Sequence, residues 1–317
     1  MSLKRIKKNT ALTASTSTGE IPFTYDMMNK YHDAAKAKGV CIVPHCGIDS
    51  VPSDILTYLC AKTTRERLNT GITDCVNSLQ KLVGNASGGT IASALGLVEN
   101  YSLKFLQKSL HPTALTPIPA PKAKPSTLGL LYSLLGWRHV KDLGVLTDSP
   151  QAVSDIGIVY RSWALFNSGA YYGPKFTFTE FMRASNIIAG GFIHYASLTF
   201  FMLMYLRPFR WFLRKFAYVQ GEGPTREDAN KGSISYKAIA KADEPKQRRS
   251  FASMHYQGGF YYLTGIMLAE AGLTLARGGD TLGRRLGGMI TPATLEMEYV
   301  ERLQKGGIEI EWGLLDQ

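Results

Sequence analysis

The sequence predicts an α/β protein, in which the closing part of a doubly wound parallel sheet precedes an α+β domain. The first observation is that residues 26–62 follow the order helix, short apolar strand, sharp loop and helix, as in a doubly wound unit. The second is that residues 233–240 and 250–256 resemble the two strands of a hairpin around a charged link. The third is an uncharged apolar segment at 187–206, which adds a membrane-associating helix to the predicted fold.

Several shorter patterns complete the predicted order of elements. Helices are expected at 26–38, 259–277 and 294–305, and strands at 41–43, 72–83, 173–180 and 308–312. Residues 155–166 read as a strand or a short buried element. Residues 137–139 and 147–153 read as irregular structure, and the five prolines between 110 and 125 predict an extended surface loop.

The size and charge of the chain limit the classes of protein to which it can belong. Its 317 residues can hold one large or two modest domains with a sizeable core. The formal net charge of +11 favours an anionic partner. Part of that charge lies in a polar basic leader at 1–18, and part in residues 207–215, directly after the apolar segment. Because no stretch resembles a nucleic-acid module, the sequence predicts a lipid surface, and no nucleic acid, as the partner.

The cysteines and the first residues indicate the compartment. Four cysteines in a chain of this length do not form a disulfide framework, and no Cys or His spacing fits a metal site, so reduced thiols and no metal are expected. Residues 1–18 lack the apolar core of a secretory signal. A mitochondrial transit peptide stays open, although a truncated or alternatively started chain explains this segment better.

The loop that follows the predicted strand Cys41–Val43 is the first candidate site. Pro44 ends the strand, Gly47 supplies turn chemistry, and a helix begins after Ser50. In an open α/β sheet, the loop at the carboxyl end of a strand is where ligands bind. The alternative, to which we give equal weight, is that the polar side chains of this loop only cap the helix.

The second candidate is a glycine-rich turn before a predicted helix, at residues 87–90. Consecutive glycines let backbone N–H groups converge on an anion, but a plain turn capped by Ser or Thr is the favoured alternative. The predicted cofactor-binding residues are therefore Gly47, Asp49, Ser50, Ser53, Asp54, Ser87, Gly88, Gly89 and Thr90. No residue is identified as catalytic, and the lone His194 in the apolar segment is predicted to be a satisfied interior group.

Five motifs carry a resemblance to a known family. They are TGEIPF at 18–23, CGIDSVPSD at 46–54, SGGT at 87–90, TLARGGD at 274–280 and GGMITPAT at 287–294. In this order and spacing, the chain resembles the saccharopine dehydrogenase-like oxidoreductases, the group that includes the trans-acting enoyl reductases. The resemblance extends from about Thr18 to the C-terminus, and CGIDSVPSD is its most specific part.

The resemblance implies a fold and a cofactor. Family members begin with a Rossmann unit that carries a glycine-rich dinucleotide fingerprint, and this sequence starts downstream of such a fingerprint. Residues 19–62 are thus expected to be the remnant of a Rossmann-type dinucleotide-binding domain, and residues 63–317 an α/β substrate domain of the dimerisation-like kind. NAD(P) is implied as cofactor by resemblance only, and we expect this chain alone to bind NAD(P)(H) poorly.

Two functions follow as expectations. The first is a truncated, nicotinamide-lineage oxidoreductase of lipid or glycolipid metabolism, with a small-molecule or lipid substrate; whether the chain is active alone stays open, and a homodimer is compatible with this function. The alternative is a non-catalytic binding protein on a membrane or lipid droplet. The upstream genomic sequence would distinguish the two, because an in-frame glycine-rich fingerprint restores the enzyme interpretation.

The apolar segment predicts how the chain meets a membrane. Twenty uncharged residues, 187–206, reach about 30 Å as a helix. Pro208 breaks the run, after which Arg207, Arg210 and Arg214 share one face of a basic amphipathic helix at 207–218. We expect a monotopic contact at the cytosolic face of a lipid droplet or endomembrane, with a mitochondrial location left open. A buried core helix followed by a surface helix is the alternative.

Overall fold

A small parallel sheet organises the first part of the fold. The computed structural model describes residues 14–16, 19–84, 95–121, 128–216 and 231–315. Strands β1 (Ala14–Ser15), β2 (Cys41–Val43) and β9 (Gly288–Met289) pair in parallel, with β2 in the centre. The three strands come from the three segments predicted at 1–18, 19–62 and 63–317, so the sheet joins parts of the chain that are distant in sequence.

A second, larger sheet forms the body of the molecule. Its strands are β3 (Ile72–Val83), β4 (Arg138–Val140), β5 (Gly144–Asp148), β6 (Thr177–Arg183), β7 (Ser233–Ala242), β8 (Arg249–Gln257) and β10 (Glu309–Leu314). Their order across the sheet is β10-β8-β7-β3-β6-β5-β4, and only the β3–β6 pair is parallel. The chain is therefore a mixed α/β protein, as the sequence predicts.

Ten helices with defined bounds surround the sheets in the described residues. They are α1 (Ile21–Ala37), α2 (Val51–Leu68), α3 (Leu103–Ser109), α4 (Leu128–Leu135), α5 (Ala152–Leu165), α6 (Ile187–Leu203), α7 (Arg207–Phe216), α8 (Phe260–Arg277), α9 (Leu282–Leu286) and α10 (Glu296–Lys305). Residues 95–100 are also helical. A short 3₁₀ turn, Pro292–Leu295, leads into α10.

Helix α2 is the centre of the core. It contacts β7, β8, α5 and the Pro292–Leu295 turn, and its side chains are buried around most of its circumference. Ile55, Leu56 and Leu59 are fully inaccessible to solvent. The loop that precedes α2 follows β2 directly, so α2 connects the parallel sheet to the larger sheet on which it packs.

Most predicted elements agree with the structure, and two segments do not. The strands at β2, β3 and β10, the β7–β8 hairpin, and helices α8 and α10 are confirmed to within a few residues. Residues 138–140 and 144–148, in or beside the stretches predicted as irregular, form the short hairpin β4–β5. Residues 155–165 lie in helix α5, with Phe166 as its C-cap, and form no strand. The β-branched residues Ile156, Ile158 and Val159 favour a strand locally, and packing against α2 and β6 overrides that preference.

Helix α6 differs from the buried core helix considered as an alternative, because most of it is exposed. Of the residues of α6, only Gly190 and His194 are buried. No single helix in the described residues is long and apolar enough to cross a membrane, but α6 and α7 together meet that test of length and composition. They are bent by 106° at the break between them.

The basic face predicted for α7 is partly paired. The Arg210 guanidinium lies 3.4 Å from the Glu99 carboxylate and donates to the Met204 carbonyl, and Arg214 also pairs with Glu99. Two of the three aligned arginines thus already have a carboxylate partner from residues 95–100, which the sequence pattern did not predict.

Candidate functional site

The loop after β2 lies where the three parallel strands end. Its backbone is fixed at its start, since the Cys46 amide donates to the Thr16 carbonyl at 2.8 Å. His45 adopts a left-handed conformation, with φ of 59°, and its buried Nε2 lies 2.8 Å from the Thr24 hydroxyl. Burial lowers the pKa of His45 to about 3, so the ring is neutral. The loop is therefore held in one conformation by α1 and β1.

Asp49 is the residue of this loop that presents a carboxyl group at the edge of the parallel sheet. It is partly exposed, and its Oδ1 accepts a hydrogen bond of 3.0 Å from Gln151 Nε2. Gln151 Oε1 in turn accepts from the Tyr236 hydroxyl at 2.9 Å. Burial raises the pKa of Asp49, and the Gln151 hydrogen bond opposes that shift. The arrangement orients one carboxyl group through two neutral partners.

Behind Asp49 lies a pair of buried carboxyl groups that share one serine. Ser53 Oγ is 2.7 Å from Glu180 Oε2 and 3.0 Å from Asp155 Oδ2, and it also accepts from Asn77 Nδ2 at 2.7 Å. Both carboxyl groups and Ser53 are almost inaccessible to solvent. Since the Ser53 hydroxyl carries one hydrogen, it can donate to only one of them. The geometry therefore indicates that the pair holds a proton of its own.

The hydrogen-bond donors decide where that proton resides. Burial also raises the pKa of Glu180, but the hydrogen bonds that it accepts from Ser149 at 3.3 Å and from the Asn77 amide at 3.5 Å stabilise its charged form and oppose that shift. Burial and the neighbouring Glu180 charge raise the pKa of Asp155 well above its usual range. We infer that Asp155 is protonated and Glu180 ionised. Asp155 Oδ1 also accepts from Ser50 at 2.7 Å, so the pair fixes the residue next to Asp49.

Asp54 joins α2 to the C-terminal part of the chain. Its Oδ2 accepts a hydrogen bond of 2.7 Å from the Ala293 amide in the Pro292–Leu295 turn, while its buried Oδ1 has no hydrogen-bond partner in the described residues. Burial raises the pKa of Asp54 to about 7. A fully buried carboxyl group that binds a backbone amide of another element stabilises the fold and offers no surface to a ligand.

The structure places the predicted cofactor-binding residues in different environments. Gly47, Ser50, Ser53 and Asp54 are buried, and only Asp49 reaches the surface. The remaining members, at 87–90, lie outside the described residues. The Ser50 and Ser53 hydroxyls are engaged with carboxyl groups, and the acidic Asp49 side chain brings no positive charge to a phosphate. The described donors therefore do not fit a dinucleotide pyrophosphate, and cofactor binding by this set stays a prediction.

Four residues of the site were absent from the sequence prediction: Gln151, Asp155, Glu180 and Tyr236. The sequence pattern indicated one of them, Glu180. Side chains alternate along a strand, so Glu180 lies on the same face as the apolar Phe176 and Phe178. An acidic residue on the buried face of a strand is itself unusual. Asp155 gave no comparable signal, since its segment was read as a strand or a short buried element. Within the described ranges, no cluster of His, Cys, Asp and Glu could hold a metal ion.

Relatives of this chain align with it over most of their length. A Mycobacterium tuberculosis protein whose provisional name is trans-acting enoyl reductase is 28% identical over 307 residues, covering 93% of this chain and 72% of its own. The trans-acting enoyl reductase of Mycobacterium leprae is 27% identical, with 92% and 72% covered. The human saccharopine dehydrogenase-like oxidoreductase is 26% identical, with 92% and 69% covered. No family model matches the chain.

These relatives confirm the resemblance drawn from the five motifs. The chain is homologous to proteins named as oxidoreductases, and that match is spread over more than nine tenths of its residues. Their names indicate a nicotinamide cofactor for the group in general.

The buried Asp54 carboxyl predicts a dependence of stability on pH. Its pKa of about 7 in the folded state lies above the value of about 3.9 in an unfolded chain. The folded state thus keeps a proton that the unfolded state has lost, and Asp54 makes the free energy of unfolding fall as pH rises from about 4 to about 7. Asn at position 54 cannot ionise. In Asp54→Asn, the free energy of unfolding, measured with urea at several pH values, should therefore fall less steeply with rising pH than in the wild type, by about 1 kcal/mol per pH unit.

The matched control is Asp280→Asn, because the Asp280 side chain is 78% exposed. It should leave the pH dependence of the free energy of unfolding unchanged. Parallel pH profiles for Asp54→Asn and the wild-type chain would contradict the assignment of a raised pKa to Asp54.

Proposed function

We propose that this chain is an oxidoreductase of nicotinamide-dependent lineage, in which Asp49 exchanges a proton with a lipid-type substrate. The observation that supports the proposal is the partly exposed Asp49 carboxyl, oriented by Gln151 and Tyr236 at the carboxyl edge of the parallel sheet. This edge is the usual ligand position of an open α/β sheet. The relatives named as enoyl reductases indicate the reaction class.

The chemistry of such a reduction needs a proton donor. Reduction of a C=C bond conjugated to a carbonyl adds a hydride to one carbon and a proton to its neighbour. A carboxyl group whose pKa is raised toward neutral pH is suited to donate that proton. Burial raises the pKa of Asp49, which favours its proton-carrying form, and the hydrogen bond from Gln151 orients the carboxyl group.

The buried pair Asp155–Glu180 acts as a positioning element in this proposal. Asp155 accepts from Ser50, the residue that follows Asp49, and Ser53 connects the pair to the first turn of α2. Loss of the pair would therefore release the loop that carries Asp49, without removing a group that touches the substrate.

A nicotinamide cofactor, which supplies the hydride when bound, is proposed for this chain by similarity alone. The 317 residues contain no G-x-G-x-x-G sequence, and the described donors do not fit a pyrophosphate. We therefore expect the purified chain to bind NADPH more weakly than micromolar, as measured by titration calorimetry. Micromolar affinity without a partner chain would contradict this expectation and place the phosphate site within these residues.

The proton-donor role of Asp49 predicts a loss of activity on substitution. With crotonyl-coenzyme A and saturating NADPH, Asp49→Asn should lower the rate of NADPH oxidation by about 10²–10⁴-fold. The wild-type rate should fall as pH rises through the raised pKa of Asp49, because the donor then loses its proton, whereas the residual rate of Asp49→Asn should lack that dependence.

The control for this experiment is Asp280→Asn, which changes an exposed carboxylate far along the chain and should keep wild-type activity. Equal activity and equal pH profiles for Asp49→Asn and the wild type would contradict the role of Asp49. Absence of NADPH oxidation in the wild-type chain would contradict the enzyme proposal and favour a binding protein.

The exposed apolar side chains of α4, α6 and α7, hereafter the apolar face, support a membrane location. Phe192 is 74% and Trp211 65% exposed, and the Tyr195 hydroxyl donates to the Leu134 carbonyl at 2.6 Å, which ties α6 to α4. Other members are Leu130, Leu131, Ile188, Leu198, Phe201 and Met202. Exposed apolar side chains that cluster on neighbouring helices mark an interaction site.

The occupant that we propose for the apolar face is the cytosolic surface of a lipid droplet or endomembrane. Residues 187–216 contain no Asp or Glu, and Arg207 and Lys215 add positive charge beside exposed aromatic rings. This combination suits a monotopic contact with lipid. The same face favours the second candidate function, a non-catalytic membrane- or lipid-droplet-associated binding protein.

Membrane association predicts a specific effect of two substitutions. Phe192→Ser combined with Trp211→Ser should weaken binding to phosphatidylcholine vesicles at least tenfold, because each buried aromatic side chain contributes about 1.5–3 kcal/mol. Flotation of the purified chain with vesicles measures this. Phe23→Ser with Tyr31→Ser, which removes two exposed aromatic residues of α1, is the control and should bind as the wild type does.

Two results would contradict the membrane proposal. One is a wild-type chain that does not float with vesicles. The other is a stable dimer in analytical ultracentrifugation that dissociates on the Phe192 and Trp211 substitutions, which would assign the apolar face to a second copy of the chain.

A further inference from the structure

A basic cavity lies on the face of the large sheet opposite to α2. It has a volume of about 370 Å³ and is lined by Asp74, Val76, Arg138, His139, Val140, Lys141, Ile239, Lys241 and Arg249. Because side chains alternate along a strand, Asp74 and Val76 point away from Asn77, which contacts α2. The cavity is thus separate from the Asp49 site. We propose that it binds the phosphate headgroup of an anionic lipid.

The charges around the cavity do not balance within the described residues. Lys241 pairs with Asp74 at 3.1 Å, and Arg249 pairs with Asp142 at 2.5 Å. Arg138 and Lys141 form no salt bridge in the part of the chain that the structure describes, which leaves an excess of two positive charges. Arginine and lysine side chains that converge on a concave surface are the usual partners of phosphate.

The strand register concentrates this charge. Lys241 lies directly opposite Arg249 on the neighbouring strand, and opposite Asp74 on the other side. Two like charges opposite each other on neighbouring strands are destabilising. An anion in the cavity would lower the repulsion between Lys241 and Arg249.

The position of the cavity relative to the apolar face selects a lipid as the ligand. Arg138 follows the last residue of α4, Leu135, by three positions, so their Cα atoms are at most about 10 Å apart. The Arg138 guanidinium lies 5.2 Å from the centre of the Phe181 ring, and Tyr132 of α4 contacts the same ring edge-on at 5.2 Å. A phosphate in the cavity therefore lies beside the helix whose exposed leucines suit acyl chains.

This inference rests on the proposed membrane association and adds a headgroup preference to it. The test compares flotation with vesicles of phosphatidylcholine alone and with an equal mixture of phosphatidylcholine and phosphatidic acid. The wild-type chain should bind the mixture more tightly. Arg138→Gln with Lys141→Gln should lose most of that preference, about tenfold or more, because each cation near an anionic surface contributes to binding. Binding to phosphatidylcholine alone should not change.

The charge-matched control is Lys30→Gln with Lys38→Gln, two exposed lysines of α1 and its C-cap, which should keep the preference. Equal loss in both double variants would overturn the cavity as the site, because net charge alone would then explain the effect. Equal binding of the wild type to both vesicles would also overturn it while leaving the membrane proposal intact. Binding of free glycerol 3-phosphate as tight as that of the mixed vesicles would overturn the lipid assignment.

Discussion

The fold of this protein depends on one hydroxyl group between two buried carboxyl groups. Ser53 Oγ lies within hydrogen-bond distance of both Asp155 and Glu180, and only one hydrogen is available to serve them. Two buried carboxylates with no cation beside them would destabilise the folded chain strongly. A single proton on Asp155 removes that cost and turns repulsion into a hydrogen-bonded network that joins α2, α5, β3 and β6.

That network explains why the loop after β2 has a defined conformation. Ser50 connects the carboxyl pair to the loop, and the neutral His45 connects the loop to α1 through Thr24. The buried polar groups, Ser50, Ser53, Asp155 and Glu180, thus stabilise the packing of α2. They also fix the position of Asp49, which is partly exposed. The large sheet carries the basic cavity on the face opposite to α2, so the proposed lipid contact there and the proposed chemistry at Asp49 would use separate surfaces.

The sequence predicts the local elements well and the site only in part. Strands β2 and β3 and the β7–β8 hairpin follow from alternation and turn residues that act within a few positions, and the loop after β2 follows from Pro44 and Gly47. Asp155 could not be paired with Glu180, because their contact spans two elements, and the segment of Asp155 was read as a strand or a short buried element and not as the helix that the structure shows. The polar residues of CGIDSVPSD suggested ligand binding, yet Ser53 and Asp54 are buried by contacts with β6 and the Pro292–Leu295 turn, which no local pattern encodes.

Infrared spectroscopy tests most directly whether the Asp155 carboxyl group is protonated. At about pH 8, where ordinary carboxyl groups are ionised, the wild-type chain should retain the carbonyl stretching band of a protonated carboxylic acid. Asp155→Asn should remove that band, and Asp54→Asn should leave it. A wild-type spectrum without the band, or a band that survives Asp155→Asn, would contradict the shared proton on which this account depends.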